Sequence, residues 1–505
     1  MMSSVFLRRF FSRTLNGPWN FIAGERCSPV DSSGTMKVTE PATGQLLCDI
    51  PISGPNEIDR AVSSAKAAFK DWSNFSPRER GNHLTRAAEI IKNNLEDIAS
   101  LEVKDTGKAI WEARIDVSSC ADAFEYYGGI APTLVGQHIP LPNGSFAYVT
   151  REPYGVVAGI GAWNFPIQTC VWKAAPALAS GNTFVYKPSQ FTPVNAVVLG
   201  EILDSAGVLK GAYNVVQGEG DSGSMLCDHP DVGKLSFTGS VSTGTKVMNA
   251  GAKGIKAVTL ELGGKSPLVI FEDADIVNSV KGALMANFLS QGQVCSNGTR
   301  VFVHKKILKP FTELLLKQTK KLKIGDPFQE DVTVGATIHE AHARKVLQYI
   351  EEAKKEGAKV LYGGERIQMS GKFSEGWYLS PCILTNVNHT MKVVEEEVFG
   401  SVLCLLEFES EEEAIQLANQ TRFGLAGAVF TKDIQRAHRV SKQIEAGSVW
   451  INTYNLYPTE VPFGGYKMSG IGRENGTWSL DNFTQTKTVY VEMGDVDCGP
   501  LYSED

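Results

Sequence analysis

Apolar residues recur at helical spacing early in the chain, where Ile58, Ala61, Val62, Ala65, Phe69 and Trp72 share one face. Ser76, Pro77 and Glu79 follow as a capping box with proline at the first helical position. The helix they open keeps Leu84, Ala87, Ala88, Ile91, Leu95, Ile98 and Leu101 on one side until Gly107. Ahead of these, Trp19 to Ile52 reads as short strands separated by Gly, Pro and Asp-Ser turns, a small antiparallel element. Between Val135 and Thr150 the pattern turns extended, with Pro140, Pro142 and Gly144, an excursion away from the domain on either side. From Gly155 strands alternate with helices: VVAGIGAW, a helix holding Trp172 and Lys173, NTFVYKPS, a helix from Val194 to Ser205, YNVVQG, and KLSFTGSVSTG. Such alternation predicts a parallel sheet wound with helices, a Rossmann-like layout. Beyond Phe271 lies a second α/β region, with amphipathic helices near Ile307 to Lys321 and from Ala341 to Glu356, the latter stopped by Gly357.

A chain of 505 residues exceeds one ordinary core, so two or more domains follow, with discontinuous ones allowed. The composition, 43% hydrophobic and 21% charged, is that of a globular α/β protein. A net charge of −7 and the absence of a basic patch interleaved with aromatics argue against nucleic acid as a partner. No apolar run reaches membrane-spanning length. The nine cysteines show neither C-x-x-C pairs nor zinc spacing, so no metal site and no disulfide framework are expected, and a reducing compartment follows. MMSSVFLRRFFSRTL at the start holds Arg8, Arg9 and Arg13, no acid and several serines, with Val5, Phe6, Phe10 and Phe11 as its apolar side. That makeup fits a mitochondrial presequence over residues 1–18; a basic tail on a cytoplasmic protein is the alternative.

Chemistry concentrates in FLSQGQVCSNGTR, Phe288 to Arg300, where Cys295 stands among small and polar residues. Gly292, Ser296, Asn297 and Gly298 leave its thiol open to a substrate, as a nucleophile requires; a packing cysteine on a loop is the other reading. Upstream, TLELGGKSPLVIF places Glu261 in apolar surroundings, where desolvation raises a carboxyl pKa and suits it to act as a general base. In VVAGIGAWNFP the Asn164 amide is positioned to hold a developing oxyanion. A cysteine, a carboxylate and an amide donor are the minimum set for oxidising an aldehyde through a thioester. FTGSVSTGTKVM supplies a helix start for phosphates, with Gly239 admitting close backbone approach and Ser240 and the first amides donating. A G-x-G-x-x-G fingerprint is absent.

Those cysteine, E-L-G-G-K and W-N-F-P motifs, in this order and spacing, resemble the aldehyde dehydrogenase superfamily from about Phe21 to about Val491. The strings Val461 to Gly476, ALMANFLSQGQVC and VEMGD are more similar still to the 4-trimethylaminobutyraldehyde and betaine aldehyde dehydrogenases. The resemblance implies an α/β fold with an NAD-binding domain (19–134 and 154–262), a catalytic domain (263–470) and a small β oligomerisation arm (135–153 and 484–495) that pairs subunits as dimers or tetramers. It implies catalytic roles for Cys295, Glu261 and Asn164, with Lys173 and Glu474 relaying protons, although a structural salt bridge is the other reading of that pair. NAD would be held by Ile160, Trp163, Lys187, Gln190, Gly239, Ser240, Val241, Ser242, Thr243, Leu262, Glu397 and Phe399. Gln190 stands where many NAD-using relatives carry a glutamate that repels a 2′-phosphate, so some NADP use is left open. Ser401 replaces the usual proline after the E-E-x-F-G stretch. Phe165, Trp172, Tyr454, Tyr457 and Phe463 would line the substrate tunnel, with Glu460 at its mouth, and their rings suit a trimethylammonium aldehyde. A broad-specificity aminoaldehyde or aliphatic aldehyde dehydrogenase is the alternative. Two further readings are a CoA-acylating enzyme, against which Glu261 argues, and a non-catalytic protein of the same fold, against which the intact Cys295, Glu261, Asn164 and Lys187 argue.

Overall fold

The computed structural model describes Gly17 and residues 19–501; the rest of the expected presequence lies outside the described residues. Five parallel strands, Val156–Ile160, Thr183–Lys187, Tyr213–Val215, Val232–Thr238 and Ala257–Glu261, form the centre of an eight-stranded sheet. The chain enters at Val156–Ile160, builds outward through the next two strands, then returns to lay Val232–Thr238 and Ala257–Glu261 on the other side. This reversal opens a crevice at the carboxyl ends of Val156–Ile160 and Val232–Thr238, the place where open α/β sheets take ligands. Helices cover both faces, which is why strands such as VVAGI read as continuous apolar runs.

A second sheet of seven strands follows, in the spatial order Lys359–Tyr362, Cys382–Thr385, Val402–Phe408, Arg300–His304, Pro267–Ile270, Ala426–Phe430 and Ser448–Ile451. All its pairings are parallel except that of Lys359–Tyr362. Glu261 ends a strand of the first sheet and Pro267 begins one of the second, so the E-L-G-G-K segment is the hinge piece between them. The glycine-rich segment returns to the first sheet, pairing Gly470 with Glu261 and Ile471 with Leu260.

Two expectations need correction. The helix opened by the Ser76 capping box does not run to Gly107; it is two helices, Pro77–Asn93 and Leu95–Thr106, broken at Asn94. The Asn94 side chain donates to the Ile90 carbonyl at 2.6 Å, the local competition with the helix ladder that asparagine offers. Nor is the N-terminal region one separate element. Asn20–Ile22 joins the eight-stranded sheet through Phe21 and Val215, while Ser32–Thr39 and Leu46–Ser53 pair with each other.

Helix Ile110–Ile130, unread in the sequence, crosses Pro77–Asn93 so closely that a Cβ on Gly81 would lie 2.2 Å from the Gly128 carbonyl oxygen. It buries Glu112 and Asp116 among its apolar residues, which blurs the helical period. The excursion is a three-stranded sheet: Thr484–Val491 pairs along its length with Phe146–Pro153, and Gln137–Pro140 adds the third strand. Val135, Ile139, Tyr148, Tyr490 and Met493 are exposed on and beside it. Among the described residues no helix is long and apolar enough to cross a membrane.

Candidate active site

Cys295 is delivered by a backbone turn that few sequences tolerate. Ser290 and Gln291 are left-handed at φ 49° and 55°, and Gly292 follows at φ 71°. Only glycine fits at 292, because a Cβ would lie 2.2 Å from the Gly400 carbonyl carbon. The turn is held from outside by Glu112, whose carboxyl accepts from the Ser290 amide at 2.7 Å. Behind the cysteine, the Ser296 hydroxyl meets Asn455 at 2.9 Å and the Tyr457 hydroxyl, and the Tyr454 hydroxyl donates to the Ser296 carbonyl at 2.8 Å. The Asn164 side chain donates to the Gln293 carbonyl at 2.8 Å, which brings its amide against the segment carrying the thiol. An amide has two N–H donors, so one remains for an oxyanion.

Glu261 is 4% exposed, and neither of its oxygens has a hydrogen-bond partner. Burial pushes its pKa well above the usual carboxylate range; Glu474 adds to the rise, while Lys173 and Arg473 oppose it. Gly464 must be a glycine here, since its Cβ would approach Glu261 Oε1 to 2.7 Å. Lys173 and Glu474 form a buried ion pair, and Lys173 Nζ also donates to Thr238 Oγ1 at 2.7 Å. The Cys295 thiol is driven upward too, by burial and then by Glu397 and Glu261. Burial thus disfavours the charged form of both the Cys295 thiol and the Glu261 carboxyl.

The crevice at the strand reversal has the donors a dinucleotide needs. Ser240 caps helix Val241–Gly254 by accepting from the Thr243 amide at 3.3 Å, and Ser240, Ser242 and Thr243 are exposed with the helix start. The amides of this first turn have no partner inside the helix, a ready anion site. A Cβ on Gly239 would lie 2.6 Å from the Phe237 ring, and one on Gly244 would lie 2.5 Å from Leu262, which packs beneath the turn. Lys187 is buried and donates to the Pro188 carbonyl at 2.7 Å; burial lowers its pKa to about 8. Ile160 and Gln190 are half-buried beside it at the strand ends. Glu397 accepts from the Gly264 amide at 3.2 Å, and burial raises its pKa to about 7. The Trp163 ring stands edge-on to Phe399, with centroids 5.2 Å apart. Phe399 is left-handed at φ 60°, and His342 Nε2 donates to its carbonyl at 2.7 Å. Burial lowers the His342 pKa to about 4, so the ring is neutral. His342 escaped the sequence reading because a lone histidine on an amphipathic helix carries no spacing signal. Ser401 is buried, its hydroxyl without a partner.

Three rings close a triangle near the thiol. Trp172 lies 5.9 Å from Phe463 and 6.2 Å from Tyr457, and Tyr457 lies 5.3 Å from Phe463. Phe165 carries Lys108 Nζ over one face, 4.2 Å from its centroid. Two backbone bonds between Phe463 and Glu474, at 2.7 and 2.8 Å, bind the ring triangle to the ion pair. The structure does not bring Tyr454 into that triangle. It is 2% exposed, packs against Gly298 and Trp450, and supports the cysteine segment from behind. Glu460 is exposed at the surface.

Residues 29–489 match the aldehyde dehydrogenase family, and the chain belongs to that family. The expected family and α/β fold class thus hold. It is 54% identical over 481 residues to the 4-trimethylaminobutyraldehyde dehydrogenase of Homo sapiens, covering 95% of this chain and 97% of that one. The 4-trimethylaminobutyraldehyde dehydrogenase A of Danio rerio is also 54% identical, with 95% of each chain covered. Among solved structures, betaine aldehyde dehydrogenase from Staphylococcus aureus in complex with NAD+ superposes with a TM-score of 0.94 at 35% identity, covering 98% of this chain and all of that one. The NAD+ complex of aldehyde dehydrogenase from Bacillus cereus gives 0.93 at 39% identity, covering 96% and 98%.

If Asn164 supplies the oxyanion donor, Asn164→Ala lowers kcat by about 10²–10³ while the melting temperature moves little. Steady-state kinetics with calorimetry on the same preparation checks this; a kcat within a factor of about three of the parent would remove Asn164 from the role.

Proposed function

We propose that this protein oxidises an aldehyde to its carboxylic acid with NAD through a thioester on Cys295, its preferred substrates carrying a trimethylammonium group. 4-Trimethylaminobutyraldehyde is the first candidate and betaine aldehyde the second. The observation that carries this reading is the convergence of the Cys295 segment, the Asn164 amide and the unpartnered Glu261 carboxyl where the two sheets meet.

The chemistry follows from these groups. With its proton removed, Cys295 Sγ adds to the aldehyde carbon, and the remaining Asn164 N–H and the Cys295 backbone N–H hold the resulting oxyanion. NAD, when bound, accepts the hydride that turns this adduct into a thioester. Glu261 then takes a proton from a water that attacks the thioester carbonyl; the C–S bond breaks, and the acid leaves as the thiol is restored. Activating water needs Glu261 as a carboxylate, yet burial raises its pKa, so the Lys173–Glu474 pair beside it is read as the route by which its proton departs. Lys187 and the helix start at Ser240 are assigned to the adenosine and pyrophosphate, with Glu397, Phe399 and Trp163 on the nicotinamide side. Because Gln190 repels nothing, NADP is used slowly as well.

A quaternary ammonium has no N–H to donate and is held best on aromatic faces, each worth roughly 0.5 to 2 kcal/mol. The triangle of Trp172, Tyr457 and Phe463 supports that substrate class, with Phe165 assigned to the same tunnel and Glu460 adding negative charge at the approach. The exposed apolar residues of the three-stranded arm support pairing into dimers or tetramers, since so small a sheet gains burial from a second subunit. The basic, acid-free leader supports import into the mitochondrial matrix.

Cys295→Ala should retain less than about a hundredth of the activity, a loss of ~2.7 kcal/mol or more in barrier, while still binding NAD by calorimetry. Higher residual turnover would place the nucleophile elsewhere. Turnover of 4-trimethylaminobutyraldehyde should exceed that of a tert-butyl-ended isostere in kcat/KM by about tenfold or more, the cation's contribution on two or three ring faces. Equal or faster turnover of the neutral aldehyde would show a merely apolar tunnel. Protein recovered from mitochondria should sediment as two or four chains and begin about fifteen to twenty residues in. A single chain of 54.8 kDa, or an intact Met1 on cytosolic protein, would overturn the corresponding part of this reading.

A further inference from the structure

The residue next to Cys295 in the chain is tied to one ring of the aromatic triangle. Ser296 is fully buried; its Oγ lies 2.9 Å from Asn455 Oδ1 and meets the Tyr457 hydroxyl. Tyr457 closes the loop, its hydroxyl 2.6 Å from the same Asn455 oxygen. The Asn455 amide has one orientation only, because its nitrogen donates to the Met285 carbonyl at 3.1 Å and to Asn297 Oδ1 at 3.2 Å. Two hydroxyl protons are therefore shared among three oxygens, and in each arrangement the phenol gives its proton away: to Asn455, or to Ser296 when Ser296 gives its own to Asn455. Residues 452–458 belong to no helix or strand, so no backbone ladder fixes Tyr457. Its ring stands nearly perpendicular to Phe463 and to Trp450, at 89° and 81°, with centroids 5.3 and 5.6 Å away.

We propose that Ser296 and Asn455 are specificity-determining positioning residues, which clamp the Tyr457 phenol so that its ring stands as a fixed wall for the trimethylammonium group of the substrate beside the thiol. This rests on the trimethylammonium reading above and names the residues that act through the ring. A tyrosine has two side-chain torsions, and on an irregular segment neither is set by the backbone. Tying the hydroxyl to the residue that follows Cys295 removes that freedom before the substrate arrives, which is where pre-organisation gains affinity. A phenol that donates its proton also pushes electron density into its ring, and a cation is drawn to the negative face that results. A neutral group of the same shape gains contact from the wall but nothing from its charge distribution, so the clamp sorts aldehydes by charge as well as by size.

Ser296→Ala and Tyr457→Phe cut the clamp from opposite ends and keep the ring. In the whole enzyme with saturating NAD, kcat/KM is measured for 4-trimethylaminobutyraldehyde and for its tert-butyl-ended isostere. The ratio of the two cancels any change at Cys295 that both aldehydes share. Each variant should lower this ratio by about threefold or more, within what one ring face contributes, chiefly by raising KM for the cationic aldehyde. The double variant should fall no further than Tyr457→Phe alone, since either change unties the same phenol. A smaller fall in either single variant, or losses that multiply in the double, would make the hydroxyl cluster merely structural and overturn the proposal. Should Ser296→Ala fail to fold, Tyr457→Phe decides by the same ratio. The parent enzyme separates the two readings: no preference for the cation there would overturn the trimethylammonium reading itself, whereas a parent preference that survives in the variants overturns the clamp alone.

Discussion

A carboxyl group with no hydrogen-bond partner, sealed where two parallel sheets meet, sets the terms for the rest of this molecule. Burying an ionised carboxylate without compensation is costly, and the pKa of Glu261 is pushed well above the usual carboxylate range. Sealing it requires backbone where side chains would not fit. Gly464 lies against its oxygen, and a Cβ on Gly470 would meet the Leu260 carbonyl oxygen at 2.1 Å. The glycine-rich segment is therefore shaped by the carboxyl it covers, and Glu474, at its far end, supplies the partner for Lys173. Burial disfavours the charged forms of both the carboxyl and the thiol, so the proposed chemistry begins by moving protons, the part assigned in that proposal to the Lys173–Glu474 pair.

Geometry around the thiol carries a second cost. Ser290, Gln291 and Phe399 sit in the left-handed region, each at an expense of about 1–3 kcal/mol for residues with side chains. Two of them are pinned by a group from another element: Ser290 by Glu112 of helix Ile110–Ile130, Phe399 by His342 of helix Glu340–Lys355. Asn455, Tyr454 and Tyr457 hold Ser296 from behind. Cys295 is thus fixed by groups far away in sequence, which suits the attack proposed for its sulfur, a step that tolerates little misplacement of the attacking atom.

What could be read from the sequence was what local chemistry dictates. The Ser76 capping box, the alternation after Gly155 and the short motifs around Asn164, Glu261 and Cys295 each depend on a few neighbouring residues, and all were visible. Asn94 was not seen as a break because an asparagine inside a helical period is tolerated as often as it interrupts. Helix Ile110–Ile130 was missed because Glu112 and Asp116, buried among its apolar residues, blur the helical period. The joining of Phe21 to Val215 and the His342 contact are products of sheet register and long-range packing. Tyr454 was expected in the tunnel from the family resemblance, and no local signal foretold that its hydroxyl would donate to the Ser296 carbonyl.

The central claim, a thioester formed on Cys295 and cleared by Glu261, is tested most directly by intact-protein and peptide mass spectrometry of Glu261→Gln mixed briefly with aldehyde and NAD. The account predicts an added acyl mass on nearly every chain, confined to the peptide bearing Cys295 and removed by hydroxylamine. No added mass while NADH is produced, or an acyl group on one of the other eight cysteines, would contradict it.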